Sequence, residues 1–462
     1  MASCSVISFS MIFVFIGIIH GWGTSSFDAL TSVDLVNRKS VYRTPAFILT
    51  PGEVSNKYYR VEFPKGHVGV RGFDAEVVDE AGNPVSLFEV YLHHWIAYNV
   101  YVKKTEKEAF LKEGYYGSNN PSTRFVGNSG LCRYGPGSTS WGLGSETRHT
   151  NTTIPPPYAV EIGNSKKIPD GYEEMWEFNV HAIDTRGVED RPGCTECRCD
   201  LYGVANDEHG LPLPKDYIGG FACCYDGTKC RLKEGFESTK RTLYMQYTIR
   251  WVEWSEHVVP LKKYLIDVTN TGSGCKAEYN TPTCSMSGFP TDCIDTRETT
   301  ASLPEDGILI YAAAHQHTGG RGAGLYSANG EEICRSIPTY GIGSETGNEA
   351  GYVVGMSACY PEPGSVKISS KDILRLQSNY TTLRGRTGVM GIFNILVASP
   401  GDTASIISVK KSDPLHSGHG IEVTLNHPFV IVGLVGVIAA IGLALFYQVR
   451  KKQSEGYQAL ST

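Results

Sequence analysis

The chain has 462 residues, of which 41% are hydrophobic and 19% charged, and its formal net charge at pH 7 is −6. Acidic and basic residues are interspersed, without the basic patch that binds phosphate backbones, so the sequence argues against a nucleic-acid partner. The 51 glycines, 23 prolines and 26 tyrosines predict many short strands and turns rather than long helices.

The chain begins with a short apolar segment, residues 6–19, followed by small residues. This pattern predicts a cleaved secretory signal over residues 1–25, although the usual basic start is absent and an uncleaved anchor is the alternative. Of the thirteen cysteines only Cys4 lies in the signal, and the even number left favours disulfides in an oxidising compartment. The glycan acceptor sites Asn151-Thr-Thr and Asn379-Tyr-Thr indicate the same location.

Four segments have the composition and alternation of β-strands: residues 176–184, 245–251, 308–314 and 389–397. Short strands with frequent turns predict an all-β fold of antiparallel, jelly-roll-like β-sandwiches. The region between the signal and the membrane span has about 400 residues, more than a single hydrophobic core usually contains, so two tandem sandwiches are expected. The predicted organisation is a signal at 1–25, a first sandwich at 26–200, a cysteine-rich insertion at 201–240, a second sandwich at 241–405, a stalk at 406–427, a transmembrane helix at 428–448 and a cytosolic tail at 449–462.

Most of the cysteines lie between residues 194 and 293. They include the run Cys194-Thr-Glu-Cys197-Arg-Cys199 and the adjacent pair Cys223-Cys224. A CxxC spacing can hold zinc, but outside the cytosol disulfides are the favoured interpretation. The sequence alone leaves their pairing open.

The C-terminal region predicts a single membrane span. Residues 429–447 carry no charge, and Arg450, Lys451 and Lys452 follow them. As a helix this run is roughly 28 Å long, enough to cross a bilayer core, and the basic residues place the tail in the cytosol. We therefore expect a single-pass type I protein of the plasma membrane or endomembranes.

The cytosolic tail contains the sequence Tyr457-Gln-Ala-Leu460. A tyrosine followed three residues later by a large apolar residue is a degenerate sorting pattern. It predicts binding of the tail to an adaptor protein.

Histidines suggest a metal site. Neighbours on a regular strand point to opposite faces, so His93 and His94 can reach one ion only at a bend or bulge; otherwise one packs and the other is solvated. His315 and His317 are two apart, share a strand face and can converge without distortion. A solvated strand face is the alternative for that pair.

His181 and Met390 carry little information alone, since a satisfied histidine and a core methionine are common. Together with the other four histidines, they complete two sets of potential metal ligands. Three imidazoles, from His93, His94 and His181, suit copper or zinc. His315, His317 and Met390 favour copper, because thioether sulfur selects Cu(I).

The order His-His, strand His, His-x-His, strand Met resembles the copper type II, ascorbate-dependent monooxygenases. That family includes peptidylglycine alpha-hydroxylating monooxygenase and dopamine beta-monooxygenase. The segments around residues 178–181, 311–326 and 371–380 are also similar to that family. The whole chain resembles the plant stress-up-regulated nodulin proteins.

The monooxygenase resemblance implies two β-sandwiches that each hold one copper ion across a solvent-filled cleft. It implies ascorbate as reductant, electron supply through the three-histidine copper and oxygen chemistry at the His-His-Met copper. The substrate would be a small molecule or peptide outside the cytosol.

The sequence departs from the peptide-amidating members of that family. Ala313 stands where they carry a carboxylate-binding arginine, and Asn394 stands where they carry a tyrosine. The cysteines flanking their His-His and Met motifs are absent, with Ala97-Tyr98 and Gly391 in their place. A peptide C-terminus is therefore a poor substrate. The sequence leaves three hypotheses: a copper monooxygenase, a cell-surface copper-binding or interaction protein without turnover, or a protein with another metal or none, in which the histidines are structural.

Overall fold

A computed structural model describes residues 36–112, 123–125, 140–271, 274–284 and 293–402. The predicted signal, stalk, transmembrane helix and tail, with Tyr457 and Leu460, lie outside these residues. Within the ranges described, no helix is long and apolar enough to span a bilayer. Strands in mainly antiparallel sheets are the predominant secondary structure of the described chain, which confirms the all-β prediction.

Ten strands of the described chain lie before residue 254. They are β1 Arg38–Arg43, β2 Phe47–Leu49, β3 Val54–Arg60, β4 Val68–Val78, β5 Val90–Lys103, β6 Thr123–Phe125, β7 Ser140–Leu143, β8 Tyr158–Ile162, β9 Tyr172–Asp184 and β10 Arg241–Glu253.

Thirteen more strands follow. They are β11 Val259–Asp267, β12 Glu278–Thr281, β13 Ile294–Ala301, β14 Gly307–His315, β15 Gly320–Tyr326, β16 Glu332–Ser336, β17 Pro338–Tyr340, β18 Val353–Met356, β19 Ala358–Cys359, β20 Lys367–Ile368, β21 Leu374–Thr381, β22 Arg386–Met390 and β23 Ile392–Ala398.

The helices of the described chain are short. They comprise α1 Lys107–Lys112, α2 Arg191–Thr195 and α3 Cys199–Tyr202, with 3-10 turns at Lys104–Glu106, Ser145–Arg148 and Phe221–Cys223.

The largest sheet has ten strands and runs through both halves of the described chain. Its order is β1-β10-β4-β8-β11-β23-β14-β19, with β2 beside β10 and β20 beside β14. β8 joins the halves, because it pairs antiparallel with β4 and parallel with β11. The predicted boundary at residue 241 would assign β10 to the second sandwich, but β10 pairs with β1, β2 and β4.

Smaller sheets complete the two layers. The sheet β3-β9-β5-β6, with β7 beside β5, packs on the β10-β4 part of the large sheet. The ring of Phe73 on β4 lies 4.8 Å from Trp95 on β5 and 5.9 Å from Tyr247 on β10. All three side chains are buried, and aromatic burial of this kind dominates the energetics of a core.

A second core lies under the sheet β13-β21-β15-β16. Leu309 on β14 and Phe393 on β23 form one side of it, and Leu325 on β15 and Leu376 on β21 form the other. All four are fully buried. The structure is therefore sandwich-like in both halves, with the ten-stranded sheet as a shared layer.

The predicted strands 176–184, 245–251 and 308–314 lie within β9, β10 and β14. The predicted strand 389–397 is interrupted at Gly391, between β22 and β23. A Cβ at Gly391 would lie 2.6 Å from Cγ2 of Val268. The close approach requires glycine there, and the strand breaks at that point.

Disulfides hold the region around residues 194–230, as predicted. Its three bonds are Cys194–Cys230, Cys197–Cys224 and Cys199–Cys223, and two more are Cys284–Cys293 and Cys334–Cys359. Because Cys194, Cys197 and Cys199 are all paired, the CxxC run is not a zinc site in this form of the protein.

Candidate metal centre

The five predicted histidines form one cluster. The ring centroid of His93 lies 4.5 Å from that of His181 and 4.9 Å from that of His317. His94 is 5.0 Å from His181, and His315 is 5.1 Å from His317. The structure thus does not show the expected separation of the two histidine sets across a solvent-filled cleft.

A β-bulge brings the adjacent pair His93 and His94 to the same site. The pairing of β5 with β9 shifts register between Leu92 and His94, which leaves His93 outside the regular ladder. A bulge re-aims a side chain that a regular strand would place on the opposite face. His94 stays in the ladder, directly opposite His181.

His315 and His317 come from the end of β14 and the turn that follows it. The turn closes when the Gly320 N–H donates to the His317 carbonyl, at 3.0 Å. Gly319 has φ +99°, which glycine adopts without strain. The His315 ring donates from Nδ1 to Glu146 Oε1 at 2.5 Å, and Glu146 is fully buried.

Hydrogen bonds to protein oxygens orient two more rings. His94 Nε2 donates to Asn179 Oδ1 at 2.7 Å, and His181 Nε2 donates to the Cys224 carbonyl at 3.0 Å. The Asn179 amide nitrogen donates to Asn56, which fixes the oxygen toward His94. With Nε2 protonated, Nδ1 of each ring carries the lone pair.

His317 is held through its backbone. Its N–H donates to the Tyr380 hydroxyl, and that hydroxyl donates to the Met390 carbonyl, each at 2.7 Å. The ring nitrogen Nε2 is buried and has no hydrogen-bond partner.

The cluster is buried, and burial favours the neutral form of the His93, His94, His181 and His317 rings. His93, His181, His315 and His317 are at most 6% exposed, and His94 is partly buried. Burial, with the neighbouring imidazoles, holds the pKa values of His93, His181 and His317 well below their usual range. Burial also lowers the pKa of His94 to about 4, against the opposing effect of its bond to Asn179.

These rings fit a metal ion. Nδ1 of His93, His94 and His181 and Nε2 of His317 are buried without a hydrogen-bond partner. One nitrogen from each of His93, His94 and His181 can be chosen so that all lie within 4.8 Å of one another. Leaving several buried polar atoms unpaired is costly, so each needs an explanation. Neutral imidazoles whose other nitrogen is bonded to protein are the usual ligands of transition metals.

Met390, the predicted sixth ligand, is 5% exposed and ends β22. Its carbonyl is joined to the His317 backbone through Tyr380. The main chain at Met390 is thus fixed relative to His317.

The sequence analysis did not assign Glu146, Tyr380 or the Cys224 carbonyl to the metal site. Glu146 precedes His315 by 169 residues, and no local pattern connects them. Tyr380 occupies an ordinary strand position, and the Cys224 contact uses a main-chain carbonyl. Only tertiary structure brings these groups to the histidines.

The two glycan acceptor sites differ. Asn151 is exposed in a loop. Asn379 lies in β21 between β13 and β15, with its side chain bonded to Thr296 and Gln377.

The fold and the site define a class: an all-β, disulfide-bonded sandwich protein with a buried histidine cluster. The chain matches the family model described as Stress up-regulated Nod 19 over residues 36–400, and it belongs to that family.

Among proteins of curated function, none matches the chain. Among solved structures, a PNGF-II structure is similar with 10% identity and a TM-score of 0.24, over 76% of this chain and 61% of that one. This chain thus spans about three fifths of the PNGF-II chain. A Sputnik virophage structure is similar with 9% identity and a TM-score of 0.21, over 91% of this chain and 97% of that one.

Proposed function

We propose that the five-histidine cluster binds copper and that the protein is a membrane-anchored, ascorbate-dependent monooxygenase-like protein. Its substrate would be an extracellular or lumenal small molecule or peptide. The supporting observation is the set of four buried imidazole nitrogens that have no partner. The order of histidines and methionine along the chain supplies the resemblance to copper monooxygenases.

The donor set favours a transition metal over a hard cation. Mg²⁺ and Ca²⁺ prefer oxygen, whereas imidazole suits copper and zinc. Met390 supports copper over zinc because it carries a thioether. Its main-chain carbonyl is linked to the His317 N–H through the Tyr380 hydroxyl. The proposal keeps two ions, one on His93, His94 and His181, and one on His315, His317 and Met390.

The protein's part in this function is orientation. Glu146, Asn179 and the Cys224 carbonyl each receive one ring N–H. These bonds fix the orientation and tautomer of the three rings and leave the other nitrogen available, and burial keeps bulk water away from them. Bound copper would supply one-electron chemistry with dioxygen, which no side chain provides.

A second function is supported by the burial of the rings. Four of the five histidines are at most 6% exposed, which limits the approach of a large substrate. Stable copper storage or sensing without turnover would need no such approach. The second candidate is therefore a non-catalytic copper-binding protein on the same fold.

Copper content and ascorbate-driven oxygen consumption of the purified full-length protein test both functions. The proposed function predicts bound copper and oxygen consumption, both lost in His317→Ala. The matched control is His257→Ala, because the His257 side chain is 51% exposed. Copper without oxygen consumption on a broad substrate panel would establish the second candidate, and absence of copper would reject both.

A further inference from the structure

A disulfide lies against the histidine cluster. The Cys197 and Cys224 sulfur atoms and one nitrogen of His93 all lie within 4.8 Å of one another, and the two sulfurs are bonded together. Both cysteines are fully buried. The Cys224 carbonyl also accepts from His181, so this disulfide contacts the cluster through two histidines.

The same three residues form a metal-binding set once the sulfur–sulfur bond is open. Two thiolates and an imidazole suit a soft or borderline cation, and thiolate in particular selects Cu(I). His93 Nδ1 is buried and has no hydrogen-bond partner in the protein. Cys197 has φ +52°, in the left-handed region that favours glycine, and strained backbone of this kind concentrates at functional sites.

We propose that reduction of the Cys197–Cys224 disulfide creates a thiolate-containing site for Cu(I), formed by Cys197, Cys224 and His93. A dithiol supplies two electrons and two protons. Its own sulfurs become a disulfide while Cys197 and Cys224 become thiols. On binding the ion, the two thiols release their protons. This site shares His93 with the copper site of the proposed function and rests on that function in no other way.

The test uses the full-length protein, whose disulfides are reduced stepwise with a phosphine. Mass spectrometry after alkylation reports which disulfides have opened, and circular dichroism reports whether the fold survives. Cu(I) affinity is measured anaerobically by competition with a chromophoric chelator. We expect reduction to tighten Cu(I) binding by about tenfold or more, and copper X-ray absorption to acquire sulfur scattering.

Two double variants separate this site from general effects of reduction. Cys197→Ser/Cys224→Ser removes both proposed sulfur ligands, so reduction should no longer tighten Cu(I) binding. Cys199→Ser/Cys223→Ser removes the neighbouring disulfide of the same region and should keep the gain. An equal gain in both variants would overturn the proposal.

If Cys197→Ser/Cys224→Ser does not fold, the wild-type protein still decides the question. Bound Cu(I) should shield Cys197 and Cys224 from alkylation after reduction, while other opened cysteines stay reactive. Absence of shielding, or opening of this disulfide only on global unfolding, would overturn the proposal. Failure of the oxidised protein to bind copper would instead reject the proposed function and leave this test intact.

Discussion

Glu146 and His315 are 169 residues apart in the chain, yet the Glu146 carboxylate accepts the His315 Nδ1–H at 2.5 Å, with both side chains buried. Glu146 also accepts from the Gly144 N–H at 2.9 Å, so its carboxylate is itself held in place. A carboxylate behind a ligand histidine raises the basicity of the ring and fixes its tautomer. The short turn Ser145–Arg148 thereby becomes part of the site.

The first prediction concerns this carboxylate. Glu146→Gln should lower copper affinity by about 10- to 100-fold, because a neutral amide supports the ring less well than a carboxylate. Chelator competition on the purified protein measures the effect. Glu331→Gln, at an exposed loop position, is the control and should leave affinity unchanged. Equal affinities for the two variants would show that Glu146 has only a packing role.

The second prediction concerns the hydroxyl that joins His317 to Met390. Tyr380→Phe removes both of its hydrogen bonds, so the buried His317 N–H and the Met390 carbonyl each lose this partner. We expect a loss of about 2 kcal/mol in the free energy of unfolding, together with weaker copper binding. Urea denaturation and chelator competition measure the two effects.

The control for that variant is Tyr360→Phe. Its hydroxyl also donates to a main-chain carbonyl, that of Asn151 at 3.2 Å, but Tyr360 is 40% exposed. It should change stability by less than about 0.5 kcal/mol. A Tyr380 variant as stable as this control would contradict the proposed bridging role.

The third prediction is a pH dependence away from the histidines. Burial raises the pKa of Glu177 from its ordinary 4.5 to about 8, against the opposing effect of Arg60. Between these values the folded state keeps a proton that the unfolded state has lost. The contribution of Glu177 to stability therefore falls as pH rises from 4.5 to 8, by roughly 1 kcal/mol per pH unit, and is constant outside that range.

Glu177→Gln should flatten the pH dependence of the free energy of unfolding between pH 4.5 and 8 and make the protein more stable than wild type at pH 8. Arg60 keeps its bond to the Phe110 carbonyl in the variant, which limits the perturbation. Urea midpoints of both proteins at pH 5 and pH 8 give the comparison. Parallel pH profiles would show that Glu177 does not carry the effect.

The fourth prediction concerns glycosylation. We expect a glycan on Asn151, which is exposed, and little or none on Asn379, whose side chain is bonded within a central strand. Asn151→Gln should therefore remove most of the glycan mass of the protein, and Asn379→Gln should remove little. Intact mass before and after enzymatic deglycosylation distinguishes them.

Strand and histidine patterns were visible in the sequence because they are local. The alternation around Phe178 and Tyr247 predicted β9 and β10, and the His-x-His spacing identified His315 and His317. The sequence also predicted that His93 and His94 could share a site only at a bend or bulge, since adjacent strand residues face opposite ways. Whether the bulge exists could not be predicted, because it depends on the register of β5 with β9.

Contacts between residues far apart in the chain leave no local pattern in the sequence. β8 joins the two halves of the large sheet through pairings with β4 and β11, and no local pattern encodes the choice of neighbour. The monooxygenase resemblance implied that the two histidine sets lie apart, whereas the rings of His93 and His317 lie 4.9 Å from each other. Packing between distant segments decides such distances.

The bulge at His93 makes the histidine cluster separable from the fold by one residue of chain length. A relative that lacked this residue would pair β5 with β9 without interruption and keep the sandwich, but it would lose the His93 imidazole. Such a protein would remain a well-folded member of the family with an incomplete histidine set. Under the proposed function, the length of β5, counted against β9, is therefore a marker by which relatives able to bind the metal could be distinguished from those that are not.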